Sequence, residues 1–243
     1  MNRTPAELVT EVARYPWYHT IELAPGILTE GMFDHRPALD RYLLPQSLSG
    51  MRCLDVGTMD GFWAFEMERR GALEVVATDL AEVDDLDWPP LWRARVEPAL
   101  DETKSARFEL ARDALGSKVQ RVERSVYALD SDLGEFDLIF CGDLLVHLKD
   151  PITALQRMRL VCRGSTIVCN PVKRFHLGGR RALAEFDGIN QFRWWLLSEA
   201  ALRRMMLAVG FTHVQVGRRF ELPTRSGGWR GRRGILQGFV GPD

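Results

Sequence analysis

The sequence is poor in cysteine and has no long apolar run, and each shortage excludes a class of protein. No apolar stretch approaches the length of a membrane span, and the N-terminus lacks the pattern of a signal peptide. The cysteines stand in or beside strand-like stretches without metal-ligand spacing, which is typical of buried, reduced thiols. We therefore expect a cytoplasmic protein with no membrane partner, no metal and four unpaired cysteines: Cys53, Cys141, Cys162 and Cys169.

The composition is that of one globular enzyme domain. The chain has 243 residues, of which 46% are hydrophobic and 27% charged, as is ordinary for a globular protein. This length is large for an average domain but lies within the range that α/β folds fill alone. The sequence leaves the oligomeric state open.

The net charge of −1 conceals an uneven distribution along the chain. Residues 1–156 hold 16 Lys and Arg against 28 Asp and Glu, whereas residues 157–243 hold 16 against 5. A basic C-terminal half suits an anionic acceptor such as a phosphate, a carboxylate or RNA. It equally suits two surfaces of opposite charge that pack on each other, and the sequence does not separate these interpretations.

Strand-like and helix-like segments alternate along most of the chain. The pattern predicts a strand, a helix and a second strand at 51–56, 61–70 and 74–79. Later strands are expected at 119–123, 136–141, 165–169, 212–217 and 234–240. This alternation predicts an α/β fold with a seven-stranded, mostly parallel sheet and helices on both faces.

The most informative stretch lies at the end of the first predicted strand. Residues 53–61 read Cys-Leu-Asp-Val-Gly-Thr-Met-Asp-Gly, and residues 74–80 read Glu-Val-Val-Ala-Thr-Asp-Leu. This layout is typical of an adenosyl-cofactor site at the edge of a parallel sheet. Asp55 and Gly57 would form a turn in which glycine permits close approach of the backbone to a ligand. Asp79 is placed to accept hydrogen bonds from two ribose hydroxyls.

A nicotinamide or flavin enzyme is the nearest alternative, and it needs Gly-x-Gly-x-x-Gly so that a pyrophosphate can rest on a helix N-terminus. Counting from Gly57, the second and third glycine positions hold Met59 and Phe62. Asp60 adds a negative charge where the phosphates would lie. S-adenosylmethionine carries an ammonium and a sulfonium but no phosphate, so the stretch favours this cofactor. A structural turn without a ligand is the remaining alternative.

Further cofactor contacts are expected where other strands end, because ligands of open α/β sheets bind at the carboxyl ends of strands. Val126, after the third strand, is placed to pack on the adenine. Gly142, after the fourth strand, permits close approach to the methionine part of the cofactor. The expected cofactor-binding residues are Asp55, Gly57, Thr58, Asp60, Gly61, Asp79, Leu80, Ser125, Val126, Tyr127, Cys141, Gly142 and Asp143.

Several motifs resemble those of class I S-adenosylmethionine-dependent methyltransferases, whose fold is Rossmann-like. They are residues 17–23, 33–37, 55–63 with Asp79, and 143–151, which read Asp-Leu-Leu-Val-His-Leu-Lys-Asp-Pro. Within that family, the chain resembles the branch of tRNA wobble-uridine (mo5U/cmo5U) methyltransferase-like proteins. Members of this branch that use a carboxylated cofactor need a basic residue in the N-terminal segment. The stretch around His19 has none, so the resemblance implies ordinary S-adenosylmethionine.

Two histidines are candidates for a catalytic base. Methyl transfer mainly requires that acceptor and methyl be aligned in a dry pocket, but a hydroxyl acceptor must also lose its proton. Histidine is suited to accept that proton near neutral pH. His147, just past the fourth strand, is the first candidate, and His19 is the second. For each of them a structural role is the alternative.

The acceptor site is expected at the periphery of the domain. Residues 1–50 would form an N-terminal cap segment over the cofactor site, and residues 51–243 a methyltransferase domain with an acceptor-pocket insertion at about 171–197. Tryptophans beside an arginine are suited to stack on a planar ring and bind an anionic group, although packing on the sheet edge is the alternative. The expected acceptor-binding residues are Trp17, Tyr18, Asn170, Arg193, Trp194 and Trp195.

Three functions are consistent with these features. We expect O-methylation of a small molecule in biosynthesis, because the compact chain has no recognisable RNA-binding appendage. Methylation of a tRNA wobble uridine is the alternative, suggested by the resemblance and by the basic C-terminal half. A cofactor-binding module without catalysis is the third, and the intact acidic and glycine positions of the cofactor motif argue against it.

Overall fold

The computed structural model describes residues 3–80, 82–94, 104–173, 181–189, 191–227 and 230–241. Its helices are α1 (Pro5–Val12), α2 (Phe62–Arg69), α3 (Pro90–Arg93), α4 (Lys104–Leu115), α5 (Pro151–Leu160) and α6 (Glu199–Ala208). The first strands are β1 (Glu22–Ala24), β2 (Ile27–Leu28), β3 (Arg52–Val56), β4 (Glu74–Asp79), β5 (Gln120–Glu123) and β6 (Phe136–Gly142). They are followed by β7 (Cys162–Pro171), β8 (Ala184–Phe186), β9 (Trp195–Leu197), β10 (His213–Val216), β11 (Phe220–Pro223) and β12 (Arg230–Phe239).

The central sheet has the strand order β10-β12-β7-β6-β3-β4-β5. The five strands from β7 to β5 are parallel, whereas β12 is antiparallel to both β7 and β10. This arrangement confirms the predicted mostly parallel α/β sheet. A short strand that the sequence did not predict, β11, pairs with the first half of β12. It is four residues long and ends at Pro223, so its strand pattern is weak.

Parallel pairing gathers the carboxyl ends of β3, β4, β5, β6 and β7 at one edge of the sheet. Because β12 runs the opposite way, its first residues lie at this same edge, where Arg233 is opposite Pro171. The loops that leave these strands therefore meet, although they come from distant parts of the chain. This edge positions the candidate site.

The sheet separates two apolar layers. On one face, Trp63 and Met67 of α2 pack with Phe108 of α4 and with side chains of the N-terminal segment. On the other face, α5 and α6 contribute Leu155, Met158, Leu202 and Met206. Helices on both faces are what a buried parallel sheet requires, because each face must be covered.

The basic C-terminal half is partly neutralised by the acidic half. Arg163 pairs with Asp137, and Arg225 with Glu30. Arg233 likewise pairs with Asp143. Two further arginines pair within their own half, Arg193 with Asp187 and Arg219 with Glu199. These contacts favour the interpretation in which the two halves of the chain pack on each other.

All four cysteines are buried and unpaired, as predicted. Burial raises the pKa of the Cys53 thiol to about 12, and it also raises the pKa of Cys141 and Cys169. These thiols are therefore protonated at neutral pH. Within the described ranges, no helix is long and apolar enough to cross a bilayer.

Candidate cofactor and acceptor site

The turn after β3 is stabilised by hydrogen bonds to the carboxylate of Asp55. Its carboxylate is 1% exposed and accepts hydrogen bonds from the Thr58 hydroxyl at 2.7 Å and from the Ala64 backbone N–H at 3.1 Å. Burial raises the pKa of Asp55 to about 7, despite these hydrogen bonds. Asp55 and Thr58 thus fix the turn against the start of α2, and the Asp55 carboxylate is buried between the turn and this helix.

Two glycines of the motif are required by the geometry. Gly57 has φ +75°, and a Cβ there would lie 3.2 Å from a methyl carbon of Leu144. Gly61 has φ +95°, and a Cβ there would lie 2.4 Å from the Phe65 ring. Larger residues would be strained at both positions. The motif therefore depends on glycine for backbone shape as well as for close packing.

Asp79 joins the tip of β4 to the turn after β3. Its two carboxylate oxygens accept hydrogen bonds from the backbone N–H groups of Met59 and Leu80, each at 2.8 Å. The side chain is nearly buried at the end of the strand. This places a carboxylate at the position where a ribose diol would be recognised.

A small cavity of about 50 Å³ lies at the carboxyl ends of β3, β4 and β5. It brings together many of the residues that the sequence predicted for the cofactor: Gly57, Asp79, Leu80, Ser125, Val126 and Tyr127. His147, the predicted base, lines it as well. The sequence did not assign the other eight lining residues, which are Thr78, Asp85, Leu86, Asp87, Arg124, Leu144, Leu148 and Phe192. A carboxylate beside apolar walls fits a ribose and an adenine, so the residues present suit an adenosyl cofactor.

The imidazole of His147 is held by the insertion. Its Nδ1 is hydrogen-bonded to the backbone carbonyl of Phe192, and the two rings stack with 4.4 Å between centroids. Because a carbonyl only accepts, Nδ1 carries the proton, and Nε2 holds the lone pair of the neutral ring. Burial lowers the pKa of His147, which keeps the ring neutral near pH 7.

Asp87 links the loops that cover the cavity. Its carboxylate accepts hydrogen bonds from the Tyr127 hydroxyl at 2.5 Å and from the Lys149 backbone N–H at 2.7 Å. Its backbone carbonyl accepts the indole N–H of Trp194. The segments after β4, β5 and β6 are thereby tied to the hairpin formed by β8 and β9. The sequence did not single out Asp87, since only the tertiary structure brings its partners together.

The N-terminal segment is fastened to the turn after β3 through Asp60. This fully buried carboxylate accepts the backbone N–H groups of Tyr18 and His19 at 2.8 and 2.9 Å, and it also pairs with Nδ1 of the His19 ring. Burial alone would raise the pKa of Asp60, but the contacts with His19 outweigh burial and lower it. The Asp60 carboxylate is therefore bound by the N-terminal segment and does not line the cavity, and His19 is buried beside it.

Most predicted acceptor residues make contacts that stabilise the protein itself. The Trp17 indole is buried and donates to the Val12 carbonyl at 2.9 Å. The Asn170 side chain accepts a hydrogen bond from the Val146 N–H, Arg193 donates to Asp187, and the Trp195 indole donates to the Lys149 carbonyl. These contacts within the chain explain the positions of the residues without an acceptor, and Arg193 already has a carboxylate partner.

The three residues predicted at the end of β6 differ in their surroundings. Cys141 is fully buried in the core, and Gly142 lies against Trp63. Asp143 pairs with Arg233 of β12, whose Nε and Nη2 donate to its Oδ2 at 2.9 and 2.6 Å. No local motif indicated a contact between Arg233 and Asp143, because that contact depends on the pairing of β12 with β7.

The fold and the site together define a methyltransferase domain. Residues 33–216 match the family model described as Methyltransferase domain, and the chain belongs to this family. The predicted class of protein, an S-adenosylmethionine-dependent methyltransferase with a Rossmann-like fold, is thereby confirmed at the level of family and fold.

The chain is similar to curated enzymes of ubiquinone biosynthesis over part of their length. The ubiquinone biosynthesis O-methyltransferase of Neisseria meningitidis serogroup A is 29% identical over 136 residues, which cover 54% of this chain and 50% of that enzyme. The enzyme of the same name from Alkalilimnicola ehrlichii is 30% identical over 128 residues, covering 52% and 44%. The chain thus spans about half the length of the curated relatives it matches.

Solved structures share the fold over longer stretches. The N-terminal domain of EvdMO1, crystallised in the presence of SAH and D-fucose, has a TM-score of 0.67 at 18% identity and covers 98% of both chains. Magnesium protoporphyrin IX methyltransferase from Synechocystis PCC 6803, with bound SAM, has a TM-score of 0.52 at 15% identity over 80% of this chain and 72% of that one. At these identities the likeness concerns the fold.

Proposed function

We propose that the protein transfers a methyl group from S-adenosylmethionine to a hydroxyl oxygen of a small molecule. The observation that carries this proposal is the neutral His147 ring beside the cavity, with Nδ1 engaged by the Phe192 carbonyl and Nε2 as the lone-pair atom. A hydroxyl group needs such a base, whereas an acceptor that is already anionic does not. The O-methyltransferase names of the partial relatives support the same reaction class.

The proposed roles of the residues follow from the positions of their side chains. When bound, S-adenosylmethionine would supply an activated methyl carbon, whose bond to sulfur breaks as its bond to the acceptor oxygen forms, with S-adenosylhomocysteine as the leaving group. Asp79 binds the ribose and Val126 packs on the adenine. His147 takes the acceptor proton through Nε2 and returns it to solvent. We further propose that residues 1–50 cap the site and that the insertion at about 171–197 forms part of the acceptor pocket, because both contact the loops at the edge of the sheet.

The experiment is transfer of a labelled methyl group from S-adenosylmethionine, with total tRNA and a small-molecule extract offered in parallel. Label in a small molecule supports the proposal. Label in wobble nucleosides supports the tRNA alternative, and cofactor binding by calorimetry without transfer to either pool supports a non-catalytic module.

The role of His147 has its own test. A His147→Ala variant should lose most of its turnover, with a much smaller effect on its affinity for S-adenosylhomocysteine, although its ring lines the cavity. A His213→Ala variant is the matched control, because His213 lies on β10, outside the cavity. Near-normal turnover of the His147 variant would remove the base from the proposal and leave alignment alone as the source of catalysis.

A further inference from the structure

The pair formed by Asp143 and Arg233 lies beside the cavity, towards β7 and β12. Leu144 lines the cavity, whereas its neighbour Asp143 does not and pairs instead with Arg233, opposite the last residue of β7. The ring of Phe33, from the N-terminal segment, covers the guanidinium at 4.9 Å. Arg233 is outside residues 33–216, the part that matches the family model. The pair therefore joins the family core to the C-terminal strand.

Asp143 has two features that packing does not require. Its backbone has φ +51°, a left-handed conformation that is costly for a residue other than glycine. Its Oδ1 is buried and accepts no hydrogen bond from the described part of the chain, although Oδ2 accepts two from Arg233. Strained residues and unsatisfied buried oxygens are both uncommon in folded proteins and concentrate at functional sites. Arg233 thus holds Asp143 so that one carboxylate oxygen is left available.

We propose that Asp143 binds the methyl acceptor and that its Oδ1 accepts a hydrogen bond from a hydroxyl group of a neutral molecule. This inference rests on the proposed O-methylation and deepens it by naming the acceptor class. The Asp143 side chain keeps 12% exposure at the edge of the sheet, whereas Oδ1 itself is buried, so the proposed hydrogen bond requires neighbouring side chains to shift. Tyr18, whose pKa is raised by burial and then by the charge of Asp143, lies close enough to form a wall of the same site.

Charge decides the acceptor class. An anionic acceptor would bring its charge towards a carboxylate oxygen that lacks a proton to donate. The arginines nearest to the expected acceptor region do not compensate, because Arg233 is engaged by Asp143 and Arg193 by Asp187. The site does not require a cationic acceptor either, because the opposite charges of Asp143 and Arg233 already balance each other. A neutral hydroxyl group donates a hydrogen bond to Oδ1 without charge repulsion and without the burial of an additional charge.

The first test separates an acceptor contact from a cofactor contact. Asp143→Asn keeps the shape of the side chain and removes its charge. We expect its affinity for S-adenosylhomocysteine, measured by calorimetry, to stay within about twofold of the unchanged protein, since a group that does not touch the cofactor loses no contact. Asp79→Asn is the positive control, because Asp79 lines the cavity. A loss of about tenfold or more in the Asp143 variant would assign Oδ1 to the cofactor and overturn the inference.

The second test uses matched neutral and carboxylated probes on the protein saturated with S-adenosylhomocysteine. The pairs are 3,4-dihydroxybenzyl alcohol with 3,4-dihydroxybenzoate, and methyl β-glucoside with methyl β-glucuronide. Ligand-observed NMR should show the neutral member of at least one pair binding more tightly. In Asp143→Asn this preference should shrink about tenfold, as expected for a charged hydrogen-bond partner. An unchanged preference, tighter binding of the carboxylated members, or no binding of any probe would overturn the inference.

A second variant serves as the control for a loss of folding. If thermal melting shows that Asp143→Asn is unfolded at the assay temperature, Asp143→Glu is used, since it keeps the charge of the pair and displaces the carboxylate by one methylene. It should reduce the preference for neutral probes and keep the affinity for S-adenosylhomocysteine. The binding tests are independent of turnover. Methyl transfer to an anionic small molecule would leave the proposed O-methylation standing and overturn only the acceptor class.

Discussion

The indole of Trp88 stacks on the ring of Phe192, with 4.0 Å between centroids and 24° between planes. Trp88 belongs to the loop after β4, and Phe192 to the insertion between β8 and β9. Phe192 lines a cavity of about 50 Å³, well below the roughly 300 Å³ of an ordinary ligand pocket. We therefore predict that an adenosyl cofactor enters when the two segments joined by this stack separate.

Trp88→Ala should accelerate cofactor entry. An aromatic pair stabilises its contact by about 0.5–1.5 kcal/mol, so its removal should raise the association rate by roughly two- to tenfold. Stopped-flow fluorescence with S-adenosylhomocysteine measures this rate. Leu91→Ala, an exposed change on the adjacent helix α3, is the control. Equal rates in the two variants would show that the stack does not limit entry.

Asp79→Asn should weaken cofactor binding. The charged carboxylate at the tip of β4 is placed to accept hydrogen bonds from the ribose, and the loss of such contacts costs about 1–3 kcal/mol. Calorimetry with S-adenosylhomocysteine measures the difference. Asp84→Asn, whose exposed side chain pairs with Arg93, should bind normally. Unchanged affinity of the Asp79 variant would contradict the ribose assignment.

Asp60→Ala should destabilise the protein strongly. It leaves the buried backbone N–H groups of Tyr18 and His19 without their acceptor, and it removes the partner of the His19 ring. The loss of one partner from a buried pair costs about 3–5 kcal/mol of unfolding free energy. Urea denaturation measures this change, and limited proteolysis should show earlier cleavage before residue 35. Asp40→Ala, at an exposed pair with Arg41, should cost less than about 0.5 kcal/mol.

Asp55 should contribute a decline in stability as the pH rises from about 4 towards 7. Burial raises the pKa of Asp55 to about 7 in the folded protein, above its value of about 3.9 in an unfolded chain. Its contribution is therefore complete below about pH 4 and is lost as the pH rises through the folded pKa, by at most about 1.4 kcal/mol per pH unit. Asp55→Asn should flatten this decline in denaturation experiments between pH 4 and 7, whereas exposed Asp132→Asn should not. Parallel curves for the Asp55 variant and the unchanged protein would contradict the raised pKa.

Local pattern was sufficient to predict the framework of the fold. The strand containing Cys53 and Asp55, the strand ending at Asp79 and the helix between them were predicted within one or two residues, because apolar runs and turn residues report directly on these elements. The cavity also contains predicted residues, since strand order places the residues after β3, β4 and β5 at one edge. The short strand β11 was missed because its four residues carry little periodicity.

The sequence by itself determined the family, the parallel sheet and the edge at which a cofactor site forms, because glycine turns and apolar strands are local properties of the chain. The tertiary structure alone decided what each polar side chain does. Asp60 contacts His19 across 41 positions, and Asp143 contacts Arg233 across 90. Whether a carboxylate faces a ligand or fastens a neighbouring segment depends on such distant partners, and residue spacing along the chain does not encode them.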